Sequence, residues 1–470
     1  MPKKYHIHTA TADPRFPPVG KYATVEFRED CAGSCRLCVK KRCVYNIFKD
    51  NYEHCSKMSE PEYSYICKTC YRCVEECTKG IFSMSINPEY RTLGDDYWTA
   101  GIINSTWAQA HTGAIPVSGA GYRGPFAGEG FDSIWTDMSE IVRPTRDGIH
   151  GREYINTSVE LSNRPMRLKF REDGSLATEI TSILEIPLPI TLLQPQYGVL
   201  SENVLLSMAE AAHELGTVLF IKPESYTTAF KKHAANLVPC LTRGNYSKYI
   251  ALVNISRMVE LAYEPGIEKE FAKLRTAKPG LFISVGVPLD ARAVGIALKL
   301  SGTDVDTIHF YGSDNGRETG VTNPRYLKDM IREIHLKLVD NKIRHKINLI
   351  FSGGMAMAEH MAKSLICGAD AIAIDIPLLL ALECRLCYRC KSGKSCPVKL
   401  EEVELKWASQ RIVNLLGAWY NQLLEVMGAC GIREARRMRG EVGRSMWFDD
   451  LERDSFGPIF GKRKVTGIEG

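Results

Sequence analysis

Twelve of the sixteen cysteines fall into three tight runs, with the spacing of metal-holding thiolates rather than of a disulfide framework. The runs are Cys31-x3-Cys35-x2-Cys38-x4-Cys43, Cys67-x2-Cys70-x2-Cys73-x3-Cys77 and Cys384-x2-Cys387-x2-Cys390-x5-Cys396. The second has the bacterial ferredoxin spacing, in which three thiolates grip one [4Fe–4S] cluster and the fourth reaches across to another. The first is the same pattern with one residue added to each end gap. Crosswise sharing therefore assigns Cys31, Cys35, Cys38 and Cys77 to one cluster, and Cys67, Cys70, Cys73 and Cys43 to the other. Zinc is the competing reading, but it usually takes two C-x-x-C pairs set further apart. Val44 and Thr78 stand where ferredoxins carry proline, and Cys55 is left over as a loop thiol.

A second chemistry precedes the third run. The stretch 347–398 reads as a buried strand, a Ser352-Gly353-Gly354 turn, a helix, and a second strand ending at Ile374-Asp375. Strand ends that open into helix N-termini present free backbone N–H groups and the positive end of a helix dipole, and glycine lets a ligand approach closely. A phosphate-bearing cofactor beside a metal cluster is the expectation.

The elements that must position these groups are α/β. Short apolar runs recur at 189–193, 217–221, 237–241, 258–262, 281–285, 305–311, 347–351 and 371–374, most of them separated by helix-like stretches such as 201–215, 289–300, 324–338 and 355–366. Eight strands are the count of a closed (β/α)₈ TIM barrel, whose phosphate sites follow the last strands; an open doubly wound sheet is the alternative. The expected division is an N-terminal arm (1–20), a ferredoxin-like domain (21–90), a pre-barrel segment (91–186), the barrel with its cluster motif (187–398) and a C-terminal helical cap (399–470). The cap is expected to hold one long amphipathic helix over 400–427. The glycine-rich loop 118–132 has no strand before it and no helix after it, so it reads as a surface loop over a barrel end and not as a dinucleotide fingerprint.

Composition narrows the class. The 470 residues are 44% apolar, enough for a sizeable core, and a formal charge of +5 is too mild to make nucleic acid the main partner. No apolar run reaches the roughly 20 residues of a membrane span. The first residues lack the apolar core of a secretory signal, so reduced thiolates in a cytoplasmic protein are expected.

Taken in order, these motifs resemble the FMN-binding synthase domain of glutamate synthase, in the short archaeal-type arrangement with a ferredoxin domain in front. The matching pieces are the ferredoxin cysteines, Pro189-Ile190…Gly198…Ser201, Gly216-Thr217, the Gly312–Gly320 turn, Ser352-Gly353-Gly354, Gly368-Ala369-Asp370-Ala371, Cys396-Pro397 and Arg439-Gly440…Gly443-Arg444. The resemblance implies FMN at the carboxyl ends of the strands. Its phosphate would lie at Ser352, Gly353, Gly354, Ile374 and Asp375, its ring near Gly198 and Ser201, with Gly312 and Ser313 beside it. It also implies reduction of 2-iminoglutarate, formed from 2-oxoglutarate and ammonia, by reduced flavin. A redox partner protein or another subunit would supply electrons, and ammonia would be free or delivered. Without a G-x-G-x-x-G unit in a βαβ setting, a nicotinamide is not expected to bind.

The chain also departs from the family. The family's glycine-rich loop after the fourth strand is shortened to Ala262–Ile267, a fifth-strand lysine is missing from Ser284-Val285-Gly286-Val287, and Asp375 replaces a glycine. The third cysteine run has four thiolates where the family has three, so it could hold a [4Fe–4S] or a [3Fe–4S] cluster. Glu224, Arg243, Glu264 and Arg317 are the polar groups nominated for a substrate pocket, each also readable as structural. A catalytic residue is not assigned. An electron-transfer subunit without its own small-molecule substrate is the alternative function.

Overall fold

A computed structural model describes residues 5–16, 19–26, 31, 34–45, 70–114, 128–136, 155–162, 169–177, 182–441, 443 and 445–461. Eight parallel strands close into a barrel: β1 (Ile190–Leu193), β2 (Leu219–Ile221), β3 (Leu237–Leu241), β4 (Met258–Ala262), β5 (Phe282–Pro288), β6 (Thr307–Tyr311), β7 (Asn348–Ser352) and β8 (Ala371–Ile374). β8 pairs with β1, and β4 pairs with β5, which completes the ring. All eight coincide with the apolar runs, because parallel barrel strands are buried on both faces and so read as continuous Val, Ile, Leu and Phe.

Among the described residues, the α-helices longer than one turn are α1 (Ala100–Thr112), α2 (Glu202–Glu214), α3 (Ile250–Ile255), α4 (Glu268–Ala277), α5 (Ala293–Leu300), α6 (Leu327–Asp340), α7 (Ala358–Cys367), α8 (Ile376–Ala381) and α9 (Leu405–Ala429). A 3₁₀ stretch, Thr228–Asn236, stands in for the helix between β2 and β3. α9 is shorter than the expected 400–427 at its start. Lys399 is left-handed, a 3₁₀ turn spans Leu400–Glu402, and Val403 is extended before the helix begins.

α9 lies across α1, α2 and α7 and buries Ile412, Leu415, Leu416, Trp419, Leu423 and Met427, each such side chain adding roughly 1.5–3 kcal/mol of transfer free energy. Residues 5–16 form no helix or strand but are tied down. Asn414 exchanges hydrogen bonds with the backbone of Ala10, and the buried Arg411 donates to the carbonyls of Ala12 (2.9 Å), Ala381 (2.6 Å) and Trp107 (3.4 Å). The bottom of the barrel is closed by the segment around Leu161, whose carbonyl accepts from Thr307, and Ser162, whose carbonyl accepts from Asn348.

The arginines after α9 are not a free docking face where they are described. Arg436 pairs with Glu160 and Glu434, and Arg439 pairs with the buried Asp370 at 2.6 Å, tying the cap to the barrel. Arg444 and the loop 118–127 lie outside the described residues.

Candidate functional site

The third cysteine run follows α8 directly and wraps a recess of about 390 Å³ lined by Cys384, Cys387, Cys390 and Cys396. Glu383, Leu386 and Tyr388 all have positive φ (70°, 47° and 54°), a left-handed path that costs about 1–3 kcal/mol per non-glycine residue and persists only where the surroundings impose it. Burial pushes the Cys384 thiol up to about 12, with the charges of Cys396, Cys387 and Cys390 adding to it. Four thiolates crowded in this way are stabilised by a cationic centre. Tyr197, Gly198 and Val199, from the loop after β1, form part of the same wall.

The first two runs lie close together where they are described. Cys31, Cys35, Cys38 and Cys77 line one recess of about 310 Å³. Cys43 and Cys70 are both within electrostatic reach of the Arg72 guanidinium, and Cys43 and Cys73 pack on the small core of Cys31, Val39, Ile81 and Phe82. Cys67 and Cys55 lie outside the described residues.

At the barrel mouth the residues expected to hold a flavin are spent largely on structure through their side chains. Ser201 caps α2, its hydroxyl accepting from Val204 N–H at 3.4 Å. Gly198 has φ +115°, and a Cβ there would sit 3.0 Å from Leu379. Ser313 holds its own turn, bonding Asn315 and the Arg317 backbone, and Gly312 N–H donates to the Ser352 carbonyl at 2.9 Å. A Cβ on Gly353 would come within 2.6 Å of the Gly312 backbone, and one on Gly354 within 2.2 Å of Gly316 N. The two glycines are therefore required by the β6 turn that lies on them. Tyr97 donates to the Gly354 carbonyl and Trp98 to the Asp314 carbonyl at 2.8 Å, bracing the turns from the pre-barrel segment.

What remains for an anion is backbone. Gly353 and Gly354 both have positive φ (97° and 65°), and among the described residues no hydrogen bond uses the N–H of Gly354 or Met355. Such a concave run of N–H groups suits a phosphate. Ile374 is wholly buried and offers only main chain. Asp375 caps α8, its carboxylate accepting from Ile376 N–H at 2.6 Å. Burial pushes its carboxyl up to about 6 despite that hydrogen bond, and the Asp314 charge adds to the rise. A group neutralised near physiological pH can sit beside a phosphate where a fixed carboxylate could not. The donor set at the β7 turn thus fits an FMN phosphate, with Asp375 as a titratable neighbour.

The nominated substrate groups are otherwise engaged. Arg317 lies over the Tyr326 ring and pairs with Glu129 at 3.1 Å; Arg243 pairs with Glu270 at 3.4 Å; Glu224 accepts from Tyr249 at 3.2 Å. Glu264 has no side-chain bond among those described, only a carbonyl that accepts from Ile267 N–H.

Residue types alone did not single out the polar cluster inside the barrel. Glu260 on β4 accepts from Ser284 (2.9 Å, β5), from Tyr311 (β6), from the Cys240 thiol (3.7 Å, β3), and lies 3.0 Å from His309 Nδ1 (β6). His309 Nε2 is 3.0 Å from Ser352 Oγ on β7. Gly286 on β5 leaves room for this: a Cβ there would be 3.0 Å from both Glu260 Oε1 and the Tyr311 ring. The space above Gly286 is filled by Glu260 and Tyr311. The available signal was a charged residue within the apolar run Met258–Ala262 and a histidine within Thr307–Tyr311, both on strands too buried to carry such groups without a reason.

A separate trio, Asp132, Glu359 and His360, brings ligand atoms within 4.8 Å of one another. His360 Nδ1 already accepts Ala356 N–H at 3.2 Å, so the neutral ring carries its proton on Nε2 and offers no lone pair to a metal there.

Residues 253–433 match the family model described as the conserved region in glutamate synthase. The chain is 24% identical to the archaeal glutamate synthase [NADPH] of Archaeoglobus fulgidus, with 92% of this chain and 96% of that protein covered. It is also 24% identical to the archaeal-type glutamate synthase [NADPH] of Dehalococcoides mccartyi, over 88% and 92%. Among solved structures, the recombinant flavin-binding domain of baker's yeast flavocytochrome b2 superposes with a TM-score of 0.44 at 10% identity, over 81% of this chain and 88% of that one.

Proposed function

The chain being a divergent member of the glutamate synthase family, we propose that it is an FMN- and iron–sulfur-dependent oxidoreductase. In this reading electrons pass from two [4Fe–4S] clusters, through a third cluster at Cys384–Cys396, to a flavin at the barrel mouth, for reductive chemistry on a 2-oxo or 2-imino acid. The carrying observation is that the four-cysteine recess and the barrel mouth share the Tyr197–Gly198–Val199 loop. The β7 turn at Ser352, Gly353 and Gly354 would hold the phosphate by backbone, and Asp375 would take up a proton as the phosphate binds. The flavin would supply hydride; the protein orients it, excludes water and tunes it.

A second reading is an electron-transfer subunit without a small-molecule substrate. It is favoured by the engagement of Arg317 and Arg243 in ion pairs, which removes two of the groups nominated for an acidic substrate.

Anaerobic purification followed by flavin, iron and sulfide analysis separates these readings. About one FMN and about 12 irons per chain are expected, three four-iron clusters by ligand count. Photoreduced protein should then be reoxidised by 2-oxoglutarate with ammonium, forming glutamate. Full cofactors without reoxidation would select the electron-transfer subunit, and clusters without flavin would refute both.

A further inference from the structure

Active sites of barrel enzymes sit at the carboxyl ends of the strands, and an acidic substrate there needs a cation that is not already spent. The loops after β2, β3, β5 and β6 offer Lys222, Arg243, Arg292 and Arg317. Arg243 pairs with Glu270 at 3.4 Å, Arg292 with Asp290 at 2.6 Å and Arg317 with Glu129 at 3.1 Å. The Lys222 side chain is exposed, and among the described residues its ammonium makes no ion pair or hydrogen bond.

The direction of Lys222 follows from the strand before it. Side chains of a strand alternate between its two faces. Phe220 of β2 points into the barrel, where its ring lies 4.9 Å from that of His309. Lys222 continues the extended path at φ −66° and ψ 130°, so it returns to the inner face, one layer above Phe220 and at the mouth. The register of β3 agrees. Phe220 is level with Val238, so the next inward positions, Lys222 and Cys240, are level too. The Cys240 thiol lies 3.7 Å from Glu260 inside the barrel. Burial and the Glu260 charge push that thiol up, and the Lys222 charge opposes them. The backbone under the lysine is fixed from β1. Gln194, only 4% exposed, accepts from Lys222 N–H at 2.8 Å and donates to Ser225 Oγ at 3.0 Å, and Pro223 opens a 3₁₀ turn.

We propose that Lys222 is the substrate-binding cation of the barrel mouth and holds a carboxylate of a 2-oxo or 2-imino acid. The proposal rests on the reading above, that such an acid is reduced here, and adds the residue that selects it. A lysine is a compact charge with three donors on a flexible stem, so it reaches a ligand without a preformed fork. Rigidity comes instead from the Gln194 clamp on its backbone. A carboxylate seated on the ammonium displaces water from it, and the charge-assisted hydrogen bond strengthens as the pair is covered. An uncharged ligand gains nothing from this contact, so the lysine acts on substrate choice.

The test reads binding and not turnover. 2-Oxoglutarate is titrated calorimetrically into oxidised, oxygen-free holoenzyme. Lys222→Gln should bind it about 10- to 100-fold more weakly than wild type, and Lys222→Arg should recover most of the loss. Added salt should weaken binding to wild type and to Lys222→Arg, and should hardly change it in Lys222→Gln. The side chain has no partner to lose, so urea unfolding of Lys222→Gln should match wild type. FMN content and flavin midpoint potential should also match. Equal 2-oxoglutarate affinity in wild type and Lys222→Gln would overturn the proposal while leaving the substrate reading intact. A lowered flavin potential with unchanged 2-oxoglutarate affinity would place the ammonium on the flavin and overturn it equally. Failure of wild type itself to bind 2-oxoglutarate would instead refute the substrate reading, and the anchor with it.

Discussion

Asp375→Asn is expected to abolish a pH dependence of FMN affinity that the wild type should show. The Asp375 carboxyl titrates at about 6 because it is buried at the end of β8. Above that pH a phosphate seated at the β7 turn must bring a proton onto the carboxyl, so affinity should fall about tenfold per pH unit, at about 1.4 kcal/mol each. Between pH 6 and pH 8 this is about 100-fold. Asparagine keeps an oxygen to cap Ile376 N–H but has no charge to neutralise. The apoprotein of each form is titrated with FMN by fluorescence quenching from pH 5.5 to 8.5. The phosphate's own second ionisation affects both proteins alike, so their ratio isolates Asp375. The ratio should be near unity at low pH and rise toward about 100 at pH 8. The same substitution should act on stability with a fixed sign. A carboxyl raised from 3.8 to about 6 by folding binds its proton more tightly in the native state, so wild-type stability falls as pH rises between those values. The variant should gain at most about 3 kcal/mol at pH 8 and only about 0.5 kcal/mol at pH 4. Parallel FMN titration curves in the two proteins would refute the placement of the phosphate beside Asp375.

Three further outcomes test other parts of the structure. Cys77→Ser and Cys43→Ser should damage different ferredoxin-type clusters, each lowering iron by up to about four per chain; identical electron paramagnetic resonance losses in both would contradict the crosswise assignment. Gly354→Ala would place a Cβ 2.2 Å from Gly316 N on a left-handed backbone, so it should cost about 3 kcal/mol or more in urea unfolding; wild-type stability would show that the β6 turn does not lie on this glycine. Arg344→Ala would strip Asp370 of its 2.7 Å partner inside the barrel wall and should cost about 3–5 kcal/mol, because it removes a guanidinium from a buried, charge-paired carboxylate.

The barrel was legible because each of its strands is buried on both faces, and such runs stand out from the amphipathic helices between them. The cysteine runs were legible because ligand spacing is a local property. Arg317 shows the limit: its type suited an acidic ligand, but whether it is free depends on Glu129, 188 positions away. The long-helix boundary was missed for a smaller reason, since left-handed Lys399 leaves no mark on the apolar pattern.

By itself the sequence determined the (β/α)₈ order, the spacing of the cysteine runs and the glycine turns, because hydrophobic period, residue spacing and glycine content act over a few neighbouring residues. Only the tertiary structure decided that Gly353 and Gly354 are demanded by the β6 turn, that Glu260 and Tyr311 fill the space above Gly286, and that Cys240, Glu260, Ser284, His309, Tyr311 and Ser352 meet. Those six come from five strands. Barrel closure alone brings them within hydrogen-bond reach, where the cost of burying a charge makes each depend on the others.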